Sequence, residues 1–376
     1  MPGYLSVNDD RTLTPAGKAV VAKDFVPRGE LAGIQVPARA GTRTGLWLPP
    51  VYRSDAAALI RIRGQIAAAL YAGVDFEIAC IGDSKTKGTL TQVGKQPDRS
   101  WPGVIRRALG GVEGFITAAP ASEDDRWALT NMERGTDTNL DGVATIDAGA
   151  ASGLSFAYAE AHTGGAFWVY SAAGGTVTVT VDGGAAQPFT VPAGGGFTAI
   201  TPTVTGTAAH TYVLSTTASV RVRGFRPAFA TPRLKITNLG RPTAAASHWA
   251  AGNPIGLWES FRTIVPTPGA IFCQLGTNAA SSGGIPTVFT QIAAVTDNAV
   301  VVAPGGIGTT PDTQYGGMYL AVWNQADMYG IPLIDFATVI GNHDQADARG
   351  LMADIVHENA VGHAWEAAAV LATIGL

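Results

Sequence analysis

A short apolar run, Phe76-Glu77-Ile78-Ala79-Cys80-Ile81, ends in Gly82-Asp83-Ser84 and constrains the fold more than any other segment. A run this brief, without sustained polar alternation, reads as a strand covered on both faces, which requires a parallel sheet between two helical layers. Ahead of it, Leu59, Ile62, Ile66 and Leu70 recur on one helical face, with Ser54 and Asp55 as cap candidates and Gly73 as the stop. Behind it, Ser100 is placed to cap a second helix with Pro102 in its first turn and Val104, Ile105, Ala108 and Leu109 as its apolar face. The same rhythm returns after Pro232, with strands expected at 234–239, 270–275, 299–303 and 331–337. Helices are expected at 286–295, 315–329 and 362–374. Strands alternating with helices predict a three-layer α/β/α domain, and ligands in such sheets bind beyond the carboxyl ends of the strands.

Between these two blocks the texture changes. Phe167-Trp168-Val169-Tyr170, Thr176-Val177-Thr178-Val179-Thr180-Val181 and Val220-Arg221-Val222-Arg223 read as strands. They are punctuated by Gly174-Gly175, Asp182-Gly183-Gly184 and Gly194-Gly195-Gly196. Short strands with Gly-rich turns predict a β-sandwich or jelly roll. The expected organisation is an irregular N-terminal arm (1–53), a discontinuous α/β domain (54–133 and 233–376) and an all-β insert (134–232).

Composition removes several classes of function. Charged residues make up 14 % of the chain, against about 25 % in an ordinary soluble domain. The net charge of −4 argues against a strongly basic nucleic-acid-binding surface. The two cysteines, Cys80 and Cys273, sit in apolar runs and read as buried free thiols. No transmembrane segment is expected, because the sequence has no apolar run of spanning length. The opening residues lack the basic and apolar regions of a Sec signal, so a protein cytoplasmic as synthesised is expected.

Three polar segments carry chemistry. Ser84 stands at the carboxyl end of the first strand, Asn278 follows the strand expected at 270–275, and Asp354 and His357 are three residues apart before the last helix. A serine hydroxyl becomes a nucleophile when a base lies beside it, and a histidine has a suitable pKa. A carboxylate on the other ring nitrogen fixes the tautomer and stabilises the imidazolium that forms. These are the parts of a serine esterase. Asp83 reads as a structural hydrogen-bonding group, and His343 and His363 read as accessory or packed side chains. Trp47, Trp168 and Trp249 read as core or rim residues rather than as sugar platforms.

The same segments resemble the blocks of the SGNH hydrolases, the GDSL-type esterases and lipases. Gly82-Asp83-Ser84 with Thr86 and Gly88 is similar to the nucleophile block GDSxTxG, and Gly276-Thr277-Asn278 to the GxN block. Asp354 and His357, followed by Asn359 and Gly362, are similar to the final DxxH block. Ser100-Trp101-Pro102 ahead of a helix also fits the family, and Asn238-Leu239-Gly240 is the candidate glycine block. Two positions depart from the pattern. Ala279 stands where the family often has Asp, and Gly240-Arg241-Pro242-Thr243 lacks the second glycine often found there. The resemblance implies a flavodoxin-like parallel sheet and a catalytic set of Ser84, His357 and Asp354. The implied oxyanion hole comprises the Ser84 N–H, the Gly240 N–H and the Asn278 amide. It implies no metal and no cofactor.

The function expected from this reading is hydrolysis of short-chain carboxylic esters through an acyl-enzyme on Ser84. The substrate expected is an acylated carbohydrate, with O-acetyl groups on a polysaccharide or cell-wall glycan. A lipase or thioesterase acting on longer acyl chains is the alternative within the family. The arm, the Gly/Thr-rich insert and the missing signal also resemble phage tail or fibre components. That reading implies homo-oligomer or virion assembly and action at a host cell surface, with receptor binding as the alternative role.

Overall fold

The computed structural model describes residues 51–52, 56–129, 144–146, 154–194, 196–216, 218–253, 256–278, 282–305 and 312–375. The irregular arm expected at 1–53 therefore lies outside the described residues except for Val51–Tyr52. The cap candidates Ser54 and Asp55 also lie outside them.

Seven strands form the central sheet: β1 (Val51–Tyr52), β2 (Phe76–Gly82), β3 (Val112–Glu113), β4 (Leu234–Gly240), β5 (Ala270–Gln274), β6 (Ala299–Ala303) and β7 (Leu333–Asp335). Their order across the sheet is β1-β7-β6-β5-β2-β4-β3, with only β1 antiparallel to its neighbour. Without the short β1 and β3, the order in chain sequence is second, first, third, fourth, fifth, the flavodoxin-like arrangement. Strand β2 is the switch point, because the chain steps from it to β4 on one side and to β5 on the other.

Side-chain alternation along these strands divides the core into two layers. Ile78 and Cys80 of β2, Phe272 of β5 and Val300 and Val302 of β6 pack with helices α1 (Ala57–Tyr71), α2 (Trp101–Ala108) and α3 (Ala360–Thr373). Ala79, Ile81, Ile271, Cys273 and Val301 face the other way, onto α4 (Leu257–Ile264), α5 (Ile285–Val295) and α6 (Asp312–Met328). Both cysteines are buried free thiols within these layers. Ser100 caps α2 as expected, its hydroxyl accepting from the Gly103 N–H at 3.3 Å. Helix α1 starts after Ala56, with no side-chain cap, and Gly73 follows its end in the left-handed region at φ 67°.

The strand expected at 331–337 is shorter than the apolar run suggests. It ends at Asp335, and Phe336–Ile340 turns into a short helix. An apolar run by itself does not distinguish a buried strand from a buried helical turn.

The antiparallel residues form two sheets packed face to face. One has the order Gln187–Val191, Gly175–Val181, Ala208–Thr216, Leu154–His162 and Trp127–Leu129. The other runs Thr198–Ile200, Gly165–Tyr170, Val220–Pro227 and Ile116–Thr117, with Ala144–Ile146 also on Val220–Pro227. Their inner faces bury Trp127, Phe156, Phe167, Tyr212 and Phe225, and Trp127 stacks on Phe156 with centroids 4.1 Å apart. Two short strands before residue 134, Ile116–Thr117 and Trp127–Leu129, pair into these sheets. Arg226, near the exit of the sandwich, ties it to the α/β layers. Its guanidinium pairs with Glu77 of β2 at 2.6 Å and donates to the Ile264 carbonyl at 2.8 Å.

Gly240, the last residue of β4, sits where two backbones nearly touch. A Cβ there would lie 2.2 Å from the Lys87 backbone nitrogen, so the strand end has no room for any side chain. Gly240→Ala is expected to lower stability by about 1–3 kcal/mol, the usual cost of forcing atoms into packed space. Chemical denaturation of the variant and wild type checks it, and equal stabilities would contradict the close approach.

Candidate active site

Three parallel strands end at one level and deliver the candidate residues together. In the register of the sheet Gly82 of β2 pairs with Gly240 of β4 and Gln274 of β5. Beyond β2, Asp83 caps the short helix Ser84–Lys87, which begins at the candidate nucleophile. Gly82 is confined because a Cβ would fall 2.4 Å from the Gln274 carbonyl oxygen and 2.0 Å from the Thr86 hydroxyl.

Ser84 Oγ lies 3.0 Å from His357 Nε2. On the other side of the ring, His357 Nδ1 lies 3.0 Å from Asp354 Oδ2 and 3.1 Å from Oδ1. The same carboxylate accepts the backbone N–H groups of Val356 at 2.7 Å and of His357 at 2.6 Å. Asp354 therefore shapes its own turn as well as orienting the imidazole. Partial burial pushes its carboxyl up, but the hydrogen bonds from the His357 ring and from the two backbone N–H groups outweigh that and hold it below its ordinary value. Asp354 stays an anion opposite the ring nitrogen, as the triad geometry requires.

The loop that carries His357 is fixed from within. Asn359 caps α3 through the Val361 and Gly362 N–H groups, while its amide donates to the carbonyls of Gly350 and Met352. The Ala353 N–H bonds to the His357 carbonyl at 2.8 Å. Gly362 is needed because a Cβ would lie 2.5 Å from the Leu351 carbonyl oxygen. Asn359 and Gly362 thus have scaffold roles.

Asn278 is exposed beyond β5, its amide 3.4 Å from the Ala244 carbonyl. The Ser84 N–H has no acceptor among the described residues. Gly240 is placed differently from the expectation. Its N–H donates to Asn238 Oδ1 at 2.9 Å and is already engaged. Asn238 acts as a brace, donating also to the Thr86 carbonyl and to Ser100 Oγ. The turn after Gly240 offers another donor. Thr243 holds φ 64°, a left-handed conformation unusual for a β-branched residue. Its N–H has no acceptor among the described residues, and its neighbour Ala244 is the residue that Asn278 approaches. The sequence signal was present, since Thr243 occupies the place where the block lacks its second glycine.

The remaining candidates are dispersed. His343 pairs with Asp344 at 3.3 Å, and His363 is fully buried in α3. Trp249 is buried and donates to the Gly82 carbonyl at 3.2 Å, so it props the end of β2. Trp168 packs half-buried against the α/β core, and Trp47 lies outside the described residues.

Asp83 joins the nucleophile turn to the Asn278 loop, its two oxygens accepting from the Lys85 N–H at 2.9 Å and the Thr277 N–H at 3.3 Å. Burial pushes its pKa up to about 6, against the lowering effect of those hydrogen bonds and of the Lys85 charge. A carboxyl with a raised folded pKa contributes stability that is full below its unfolded value and lost as pH rises through the folded one. The wild type should therefore lose stability relative to Asp83→Asn between the ordinary aspartate pKa of 3.8 and about 6. Melting temperatures of both proteins across that range check this, and parallel curves would contradict it.

No protein-family model and no curated protein sequence matches the chain. Among solved structures it is similar to one described as "Peptidoglycan O-acetylesterase in action, 5 min", with a TM-score of 0.60 and 16 % identity over 86 % of this chain and 97 % of that one. That share exceeds what the α/β residues alone supply, so the match extends into the sandwich. Two others are matched at lower scores that carry no weight for the fold. A family two carbohydrate esterase from Clostridium thermocellum in complex with cellohexaose has a TM-score of 0.28 and 13 % identity over 69 % of this chain and 98 % of that one. An acetylxylan esterase from Geobacillus stearothermophilus has a TM-score of 0.31 and 15 % identity over 38 % of this chain and 74 % of that one. Taken with the strand order and the motif-bearing strand ends, the chain has the SGNH-hydrolase fold, with an antiparallel sandwich set into the α/β frame.

Proposed function

We propose that the protein is a serine esterase that removes short acyl groups, with O-acetyl groups on a polysaccharide or cell-wall glycan as its substrate class. The observation that carries this reading is the continuous relay Ser84 Oγ, His357 ring, Asp354 carboxylate, with 3.0 Å at each link. Ser84 Oγ attacks the ester carbonyl carbon as His357 Nε2 takes its proton. The tetrahedral oxyanion is held by the Ser84 N–H and the Asn278 amide, with the Thr243 N–H as third donor in place of that of Gly240. His357 then passes its proton to the departing alcohol oxygen. Water attacks the acyl-enzyme with His357 again as base, releasing the acid and restoring Ser84. Asp354 holds the Nδ1–H throughout, so the neutral ring accepts at Nε2 and the imidazolium that then forms is stabilised.

The glycan substrate class draws on the solved structure named for a peptidoglycan O-acetylesterase, which shares the fold. The site's exposure agrees with it. Asp354 is 37 % exposed and Asn278 is at the surface, as suits an ester displayed on a polymer.

Turnover of p-nitrophenyl esters from acetate to long acyl chains, together with acetate release from O-acetylated glycans, tests the reading. Activity should fall steeply beyond butyrate and vanish in Ser84→Ala. Asn278→Ala should lose about 10²–10³ in kcat while remaining folded, the usual effect of deleting one oxyanion donor. A maximum at long chains would instead indicate a lipid substrate.

Thr243→Gly keeps the N–H and removes the left-handed strain, so it should retain activity and gain about 1 kcal/mol of stability. Thermal melts and initial rates check both parts, and a large loss of kcat would show that the Thr243 side chain itself is needed.

A further inference from the structure

The residue after Ser84 is Lys85, and the residue after His357 is Glu358. These two side chains meet inside the protein. Lys85 Nζ and Glu358 Oε1 are 2.5 Å apart, and both side chains are wholly excluded from solvent. A closed ring results, running Ser84, Lys85, Glu358, His357 and back to Ser84 through the 3.0 Å hydrogen bond. Ser84 and His357 are each one peptide bond from an end of the ion pair, although 273 positions separate the two in sequence.

The pair has no evident role as a stability device. Taking two charges out of water costs about as much as their attraction returns, and apolar side chains of similar volume usually serve as well. Nor are its surroundings rich in compensating partners. Among the described residues Glu358 Oε2 accepts no hydrogen bond, and neither ring nitrogen of the neighbouring His363 has a hydrogen-bond partner, Nδ1 lying 3.6 Å from Glu366 Oε2. Burial pushes His363 down to about 4, so its ring is neutral. Burial, reinforced by Glu358, pushes Glu366 well above its ordinary value, and its carboxyl accepts from the Gln274 amide. Burial pushes Glu358 up too, but the Lys85 charge and hydrogen bond, together with His363 and its own backbone N–H, outweigh this and hold it below its ordinary value.

What the pair does supply is a connection. The bonds that shape residues 353–358 lie within that loop, its bridge to Met352 and the α3 cap. Among the described residues, two hydrogen bonds join this loop to the nucleophile turn: the Ser84–His357 bond and the Lys85–Glu358 pair. Without the ion pair, the Ser84–His357 bond, which must break and re-form during turnover, would be the one hydrogen bond left between the two loops among the described residues.

We propose that Lys85 and Glu358 are positioning residues, a buried tether that holds the nucleophile turn and the histidine loop at reacting distance. This rests on the reading of Ser84, His357 and Asp354 as an acyl-transfer triad.

The test compares the full-length wild type with Lys85→Met, Glu358→Leu and the double variant Lys85→Met/Glu358→Leu. Melting temperature, kcat and KM for p-nitrophenyl acetate, and the rate of Ser84 labelling by a p-nitrophenyl phosphonate are read for each. Each single variant leaves one charge buried alone, so both melting temperature and kcat should drop. The double variant removes both charges and should regain the wild-type melting temperature. Its kcat and labelling rate should nevertheless stay ~10–100-fold low, as expected when reacting groups are slightly misplaced. Its KM should remain within ~3-fold, since ground-state binding is untouched. A double variant that regains kcat along with its melting temperature would overturn the positioning role.

Should the double variant not fold, Glu358→Asp shortens the tether by one methylene while keeping the charge. It should lose kcat at near-normal KM, and unchanged kcat would overturn the proposal. A wild type inert to both the ester and the phosphonate would overturn the triad reading and the tether with it. An active wild type whose double variant regains full kcat would overturn the tether alone.

Discussion

The backbone pairing of β2 with β4 and β5 is the constraint on which the site depends. Because Gly82 is level with both Gly240 and Gln274, three loops leave the sheet at one height and share one small volume. The chain gives up side chains to allow it. Gly82 and Gly240 each lie where a Cβ would collide with a neighbouring backbone. The nucleophile turn can then sit against β4, where Asn238 holds the Thr86 carbonyl, and against β5, where Gln274 accepts from the Thr86 hydroxyl at 3.1 Å and the Trp101 indole at 2.8 Å. The place of the candidate nucleophile at a parallel-sheet switch point is thus prepared by backbone geometry before any side chain is considered.

Polar groups buried behind the site form a second level of order. Asp83 links the nucleophile turn to the Asn278 loop, and Lys85 with Glu358 links it to the histidine loop. Gln274 spans from Thr86 and Trp101 on one side to Glu366 of α3 on the other. Such groups are costly inside a protein unless bonded. Their concentration under the candidate nucleophile fits a demand for fixed geometry rather than for maximal stability.

Much of the α/β frame was legible in the sequence because its strands are short, apolar and separated by periodic helices. The run at 299–303 became β6 with the expected limits, and the Ser100 cap with Pro102 behind it opened α2 as expected. The end of β7 was not legible, since Leu333 and Ile334 before the change from strand to helix and Phe336, Val339 and Ile340 after it are equally apolar. Helix α4 was passed over although Leu257, Phe261 and Ile264 recur on one face, because the segment is short and follows a loop without a side-chain cap. At the site, residue types and order pointed to Ser84, His357, Asp354 and Asn278. They could not reveal that the Gly240 N–H is occupied by Asn238, which is a matter of side-chain rotation. Nor could they reveal the Lys85–Glu358 pair, whose members look like ordinary charged neighbours of two motifs until the fold brings them together.

The central claim is that Ser84 carries the acyl group and that His357 makes it able to do so. Rapid acid quench during turnover of an acetyl ester, followed by peptide mapping by mass spectrometry, tests this most directly. The account predicts acetyl on the peptide containing Ser84 in the wild type and none there in His357→Ala. Turnover with no acetyl on Ser84, or acetylation unaffected by loss of His357, would contradict it.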